Sequence, residues 1–418
     1  SYGAELNQEI FEDGISISIK SLNEHFSKLF PLLDLIINKP TLLETEFQKV
    51  KKSSINSLKK DKENPFNICF EKWKRIVYSN HPYSFNTNGN ANDVSKITYE
   101  DILLEFRNFK SRDKYLISNN SEINGVSIET LEKKPLEEKS SPINHDLSPK
   151  NRIDFNNNDS NQTIIMLGNQ TCSRRSIEYL PLKVLESHLS YGMSAALFKL
   201  FREKNGITYD LGVYYPVRRY NAPFLVYLSV SNKKALFAFE LLSTLWKDLL
   251  LNPLIDTEIL LAKEKLKGSF LLGNQSLDEI LQRKIQLISY GISSISEHDL
   301  NSKIDEISSL DILKLTNKYF SKPYLSISGS GKILISELLK AFSNTDISTW
   351  NLSFDYLPIL YSFETIEKEA AQSTLRTIFD EITYNISIGR NLNCRRKDLS
   401  FAFDHPKKLS YLKNILKY

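Results

Sequence analysis

"KIDEISSLDILKLTNKYFSKPYLSISG", residues 303–329, decides the fold because its pattern occurs twice. Residues 93–119 read "DVSKITYEDILLEFRNFKSRDKYLISN". Each stretch has a polar lead, then a hydroxyl residue shortly before Asp-Ile-Leu. An amphipathic helix follows and ends at an aromatic. A basic turn then enters a strand-like "YLIS" or "YLSIS". The two lie about 210 residues apart, a spacing on the scale of one domain.

The match continues upstream. Residues 15–47, "ISISIKSLNEHFSKLFPLLDLIINKPTLLETEF", parallel residues 224–259, "FLVYLSVSNKKALFAFELLSTLWKDLLLNPLIDTEI". Both read as an alternating strand, an amphipathic helix, Asn and Pro as a stop, and Thr-Glu at the next helix start. A hydroxyl there suits a cap, and an acid suits the positive end of the helix dipole. Strands such as "SISIKS" and "VYLSVS" alternate polar with apolar residues, as in antiparallel sheets that bury one face. The expected fold class is therefore α+β: two homologous domains, each a mainly antiparallel sheet with helices packed on one face.

The second copy holds more than the first. Counting back by the offset leaves residues 163–212 without a partner, so the first domain is expected to lack about 50 N-terminal residues. The domain reading is 1–125 for the first copy, 126–162 for a linker, 163–345 for the second copy and 346–418 for a tail of unknown role. The linker is rich in Pro, Ser, Asn and charge, too poor in apolar residues to order itself alone, with a short strand expected at its edge. The tail suggests one helix and a basic end carrying Arg395, Arg396, Lys407, Lys408 and Lys413.

Composition narrows the function. A net charge of +4 over 418 residues, 25% of them charged, gives no argument for a nucleic-acid partner, which needs a clustered basic face. No apolar run approaches the roughly 18 residues of a membrane span. Cys69, Cys172 and Cys394 are odd in number and far apart, forming neither a disulfide framework nor a Cys-x-x-Cys unit. That usage fits a reducing compartment, with the cytoplasm favoured.

In the second copy, "EYLPLKVLESHLS" is a helix broken by Gly192, and "AALFKLFREK" a second helix closed by Gly206 as a left-handed residue. "YDLGVYYPV" then opens a strand. The whole run, "YGMSAALFKLFREKNGITYDLGVYY" (191–215), resembles the second-domain signature of the insulinase-type (M16) peptidases, a family that includes the mitochondrial processing peptidases. "NHPYSFNTNG" (80–89) is similar to that family's His-Pro-Tyr segment. The resemblance covers about residues 1–340. It implies two related α+β halves closing around an extended peptide.

Active members carry His-x-x-Glu-His on a first-domain helix, two His on one helix face binding zinc, and a further Glu on a later helix. The six histidines here are His25, His81, His145, His188, His298 and His405, and none has another four residues away. The later helix corresponds to "FQKVKKSSINSLKKDKENPF" (47–66). Aligning Leu58 and Pro65 puts Ser57 at the position of the distal Glu ligand. A shift of one gives Asn56, and Glu63 falls in the turn. No metal is expected in this chain; zinc is expected in a partner subunit.

The resemblance also gives Arg202 and Tyr209 a role. In the family the equivalent pair reaches from the second domain toward the zinc and contacts the substrate carbonyl beside the scissile bond. Without the resemblance, a cation in a last helical turn and a tyrosine at a strand start are ordinary stabilising features. Some members divide the work, one subunit bringing zinc and the other the Arg/Tyr pair. The chain reads as the second kind: a non-catalytic, substrate-binding subunit, inactive alone, with no catalytic residue of its own. Its expected partners are a zinc-bearing M16 subunit and an extended peptide. The alternatives are a fragment of a self-sufficient zinc metallopeptidase and a purely structural peptidase-derived subunit.

Overall fold

Two sets of elements follow one another in the same order in the computed structural model, which describes residues 2–78, 81–110, 153–157, 160–273, 275–292 and 297–329. The first set is β1 (Glu5–Phe11), β2 (Gly14–Lys20), α1 (Asn23–Asn38), α2 (Glu44–Asp61), α3 (Pro65–Val77), α4 (Ala91–Lys96) and α5 (Tyr99–Lys110). After β3 (Ile153–Asn157) comes the second: β4 (Gln162–Gln170), α6 (Tyr179–Ser190), a π-helical segment (Phe198–Lys204), β5 (Thr208–Tyr214), β6 (Pro223–Ser231), α7 (Ala235–Leu251), α8 (Asp256–Leu272), α9 (Leu277–Ser289), α10 (Glu297–Asp305), α11 (Ser309–Phe320) and β7 (Tyr324–Gly329). From α1 onward each long helix of the first set recurs roughly 210 residues later. The readings for the strand near 115–119, for 126–152 and for the tail, with His145, His405, Cys394 and the tail's basic residues, lie outside the described residues.

The recurrence extends to the caps. Before α11, Ser308 Oγ accepts from Asp311 N at 3.1 Å while Asp311 Oδ2 accepts from Ser308 N at 3.0 Å. Before α5, Thr98 Oγ1 accepts from Asp101 N at 3.2 Å and Asp101 Oδ2 from Thr98 N at 2.8 Å. Each is a reciprocal capping box that satisfies two otherwise orphaned donors. The expected Thr caps of α2 and α8 are corrected: Leu43 and Ile255 stand at the cap positions, and Thr45 and Thr257 lie inside the first turn. The acids fall as expected, Glu44 and Glu46 in one first turn, Asp256 and Glu258 in the other.

The second set builds a five-stranded sheet in the order β3-β7-β4-β6-β5. Its pairings are antiparallel except β3 with β7, which is parallel. β3 is thus a strand at the sheet edge, within the stretch read as linker. Helices α6, α7, α8 and α11 cover one face, where Phe224, Phe239, Trp246 and Phe320 are almost wholly buried. The first set forms a two-stranded hairpin of its own, in which Leu6 and Ile10 of β1 face Ile19 and Ile15 of β2. Leu6, Ile10 and Ile15 on that face remain exposed.

The central strands differ from the one-face burial read in "VYLSVS". β4 and β6 are buried along nearly their whole length. Their alternate residues serve two cores: Ile165 and Leu167 face the helices above, Ile164 and Met166 the layer below. That lower layer is α3, from the first set. Asn64 caps it, accepting from Phe66 N at 2.9 Å, and Pro65 at its first position needs no donor partner. Cys69, Trp73 and Val77 then form an i, i+4, i+8 stripe, all buried against β4 and β7. Trp73 Nε1 donates to Tyr324 O at 3.1 Å, and Cys69 Sγ lies 3.4 Å from Ser326 Oγ.

A second tie joins the sets. Asp13, at the tip of the β1–β2 hairpin, accepts from Tyr83 Oη at 2.5 Å, Tyr290 Oη at 2.9 Å and Arg219 N at 3.0 Å. Its neighbour Glu12 pairs with the buried guanidinium of Arg218 at 2.7 Å. Burial, reinforced by the Asp13 carboxylate, holds the phenols of Tyr83 and Tyr290 well above the ordinary range, so both stay donors.

Truncating Trp73 to Ala removes a fully buried indole from the junction of the two sets. Urea unfolding should show a loss of about 3–5 kcal/mol, and a loss under about 1 kcal/mol would contradict this packing. Burial also pushes the Cys69 thiol up to about 12, leaving almost no thiolate in mildly alkaline buffer. Iodoacetamide should therefore leave Cys69 unmodified in the native protein and label it in urea, as read by peptide mass mapping.

Candidate functional site

Arg202 lies in the π-helical segment that carries the chain from α6 toward β5. Phe201, fully buried, anchors this segment in the core. Arg202 is exposed, and its guanidinium carbon sits 5.5 Å from the centroid of the Phe198 ring, one turn earlier. The wider π turn is an uncommon local geometry that often accompanies function. Gly206 closes the segment with φ 54°, a left-handed conformation suited to glycine, as its place in the sequence predicts. Gly192, which ends α6, likewise has φ 74°.

The turn is held from several sides. Ile207 N donates to Phe201 O at 3.0 Å, and Gly206 N to Arg202 O at 3.2 Å. Asn205 Nδ2 donates to Leu200 O at 2.7 Å, and Lys234 Nζ to Gly206 O at 3.0 Å. Buried Ile207 pins the far side. The connection between Arg202 and Tyr209 is thus short and braced by backbone hydrogen bonds.

Tyr209 owes its direction to a β-bulge. Along β5, Leu211 pairs with Leu228 and Val213 with Val226, and both pack on the helix-covered core. Simple alternation would put Tyr209 on that same face. The register shifts here: Thr208 pairs with Val230 and Asp210 with Ser229, leaving Tyr209 as the extra residue. Bulges re-aim side chains and often sit at sheet edges and functional sites, and β5 is an edge strand. Tyr209 is 62% exposed.

Arg202 and Tyr209 therefore flank one tight helix-to-strand turn on the second set. Among the described residues, neither side chain is engaged in a hydrogen bond or ion pair. A guanidinium brings five donors and a phenol one, so each side chain can donate to an acceptor. The sequence did not single out Phe198, Asn205 and Thr208, which shape this presentation. The i, i+4 spacing of Phe198 and Arg202 was the available signal for the ring contact.

The remaining candidates fall elsewhere. Ser57 is exposed on α2. Beside it, Gln48, Lys51, Lys52, Ile55 and Asn56 line a shallow open depression. A neutral hydroxyl does not fit a zinc ion, which takes thiolate, imidazole or carboxylate ligands. Among the described residues no group of three His, Cys, Asp or Glu side chains could hold a metal. Glu63 lies in the α2–α3 turn, as read from the sequence. His81 has a structural role: its Nδ1 accepts from Tyr83 N at 3.0 Å and shapes the turn that delivers Tyr83 to Asp13. No described helix is long and apolar enough to cross a membrane.

The chain is similar to several known proteins. The family description "Peptidase M16 inactive domain" matches residues 119–266, a range containing both Arg202 and Tyr209. An uncharacterized zinc protease of Rickettsia felis is 23% identical over 308 residues, covering 72% of this chain and 74% of that protein. One from Rickettsia bellii is 21% identical over 309 residues, with the same coverage of 72% and 74%. Among solved structures, the peptidase M16 inactive domain from Pseudomonas fluorescens aligns with a TM-score of 0.64 at 18% identity, covering 79% of this chain and 82% of that one. A protease from Helicobacter pylori aligns with a TM-score of 0.65 at 16% identity, again over 79% and 82%. These structures share the α+β fold described above. The family match over residues 119–266, the zinc-protease relatives and the common fold support an M16-type family member.

Proposed function

We propose that this chain is the substrate-binding, non-catalytic member of a two-chain M16 peptidase and that it works beside a zinc-bearing M16 subunit. One observation carries the reading: Arg202 and Tyr209 are two exposed donors on a braced turn, and among the described residues neither side chain makes a hydrogen bond or ion pair. Two such donors aimed at one peptide carbonyl would orient an extended substrate and favour the oxygen as it gains negative charge. The partner's zinc would supply water activation and carbonyl polarisation. Within this chain the residues at the expected ligand position, Ser57 and its neighbours, do not suit that ion. In this reading the chain offers hydrogen-bond donors on a rigid edge, and the partner subunit brings the catalytic metal.

The purified chain alone is expected to show no peptide hydrolysis, and hydrolysis should appear on mixing with a zinc-bearing M16 subunit. Arg202→Ala or Tyr209→Phe should lower the kcat/KM of the mixture by roughly a hundredfold or more, the usual effect of losing one donor to a developing oxyanion. Activity of the mixture that both substitutions leave unchanged would contradict the reading.

A further inference from the structure

We infer that Thr208 is the positioning residue for Tyr209, a claim that rests on the proposed role of Tyr209 in holding peptide. The bulge that turns Tyr209 outward inserts one residue between two ladder pairs, Thr208 with Val230 and Asp210 with Ser229. Such an insertion locally disrupts the backbone ladder and leaves carbonyls in want of donors. The Thr208 hydroxyl lies at both sides of the gap. Its Oγ1 is 2.8 Å from Asp210 O on its own strand and 3.1 Å from Ser229 O across the ladder. One hydroxyl proton serves these two acceptors, alternately or shared. It therefore bridges over Tyr209 itself.

The competing arrangement is easily drawn. If β5 kept its pairing from Leu211 onward and lost the bulge, Tyr209 would lie opposite Val230. Val230 is buried in the helix-covered core. Tyr209 would then turn to that face, and Thr208 would move one place along the ladder. Nothing in the bulk of residue 208 forbids this, since a β-branched residue suits any strand position. What favours the bulge is the hydroxyl's reach to the two carbonyls. Serine keeps that hydroxyl, and valine keeps the shape without it. The two substitutions therefore separate hydrogen bonding from packing.

Two measurements on the full chain test this. The first is nitration by tetranitromethane, read at Tyr209 by peptide mass mapping. The second is fluorescence anisotropy with a fluorescein-labelled, unstructured short peptide. Thr208→Val should slow nitration of Tyr209 several-fold and weaken peptide binding by about tenfold, the scale of one net hydrogen bond. Thr208→Ser should restore both. Nitration of Tyr209 at the wild-type rate in Thr208→Val would overturn the inference, whatever the peptide does. Slowed nitration with peptide binding unchanged in both Thr208→Val and Arg202→Ala would instead overturn the reading of Tyr209 as a peptide contact.

Discussion

The docking of α3 on the outer face of the five-stranded sheet is the interaction on which the rest of the structure depends. Trp73 lies flush against β7 and β4 with its ring nitrogen satisfied by Tyr324 O, and Cys69 and Val77 extend the same stripe. This contact turns a sheet that one set of helices would leave half bare into a sheet buried on both sides. It also joins chain segments far apart in sequence, so the two sets of elements cannot separate without exposing an indole and its neighbours. The Asp13 cluster adds a polar tie, with three donors converging on one carboxylate at the hairpin tip. Buried polar networks of this kind hold one arrangement when every member is satisfied.

The candidate site draws its precision from that platform. β4, β6 and β7 form the doubly buried centre, and β5 is hydrogen-bonded to β6 at the edge. Irregular geometry is confined to the edge: the π-helical segment, the left-handed Gly206 and the bulge at Tyr209 all fall within a dozen residues. A rigid scaffold carrying an irregular, exposed turn is a common arrangement for binding residues. The donors are held by backbone hydrogen bonds and by a buried Phe201–Ile207 anchor, leaving their own polar groups available.

Much of this is readable from the residues. The repeated Asp-Ile-Leu helices, the glycine at the helix stop and the spacing of Arg202 to Tyr209 lead to an α+β fold and to this turn. Three features are hidden in the sequence. The stripe of Cys69, Trp73 and Val77 announces an apolar helix face but not which sheet receives it, so β6 reads as a half-buried strand. Two-residue periodicity assigns Tyr209 to the core, because a bulge has no fixed sequence signature outside glycine forms. Thr45 and Thr257 look like caps by type. The chain instead enters α2 and α8 two residues earlier, and the acids alone complement the helix dipole.

The central claim is that residue 209 touches peptide while a second subunit supplies the metal. Replacing Tyr209 with a photoreactive benzoylphenylalanine, in a mixture with a zinc-bearing M16 subunit and a labelled peptide, reports that contact directly. Irradiation is predicted to attach the label to this chain at position 209, and the same probe at exposed Leu260 on α8 should attach none. Equal labelling at both positions, or none at 209 while the mixture hydrolyses the peptide, would contradict the account.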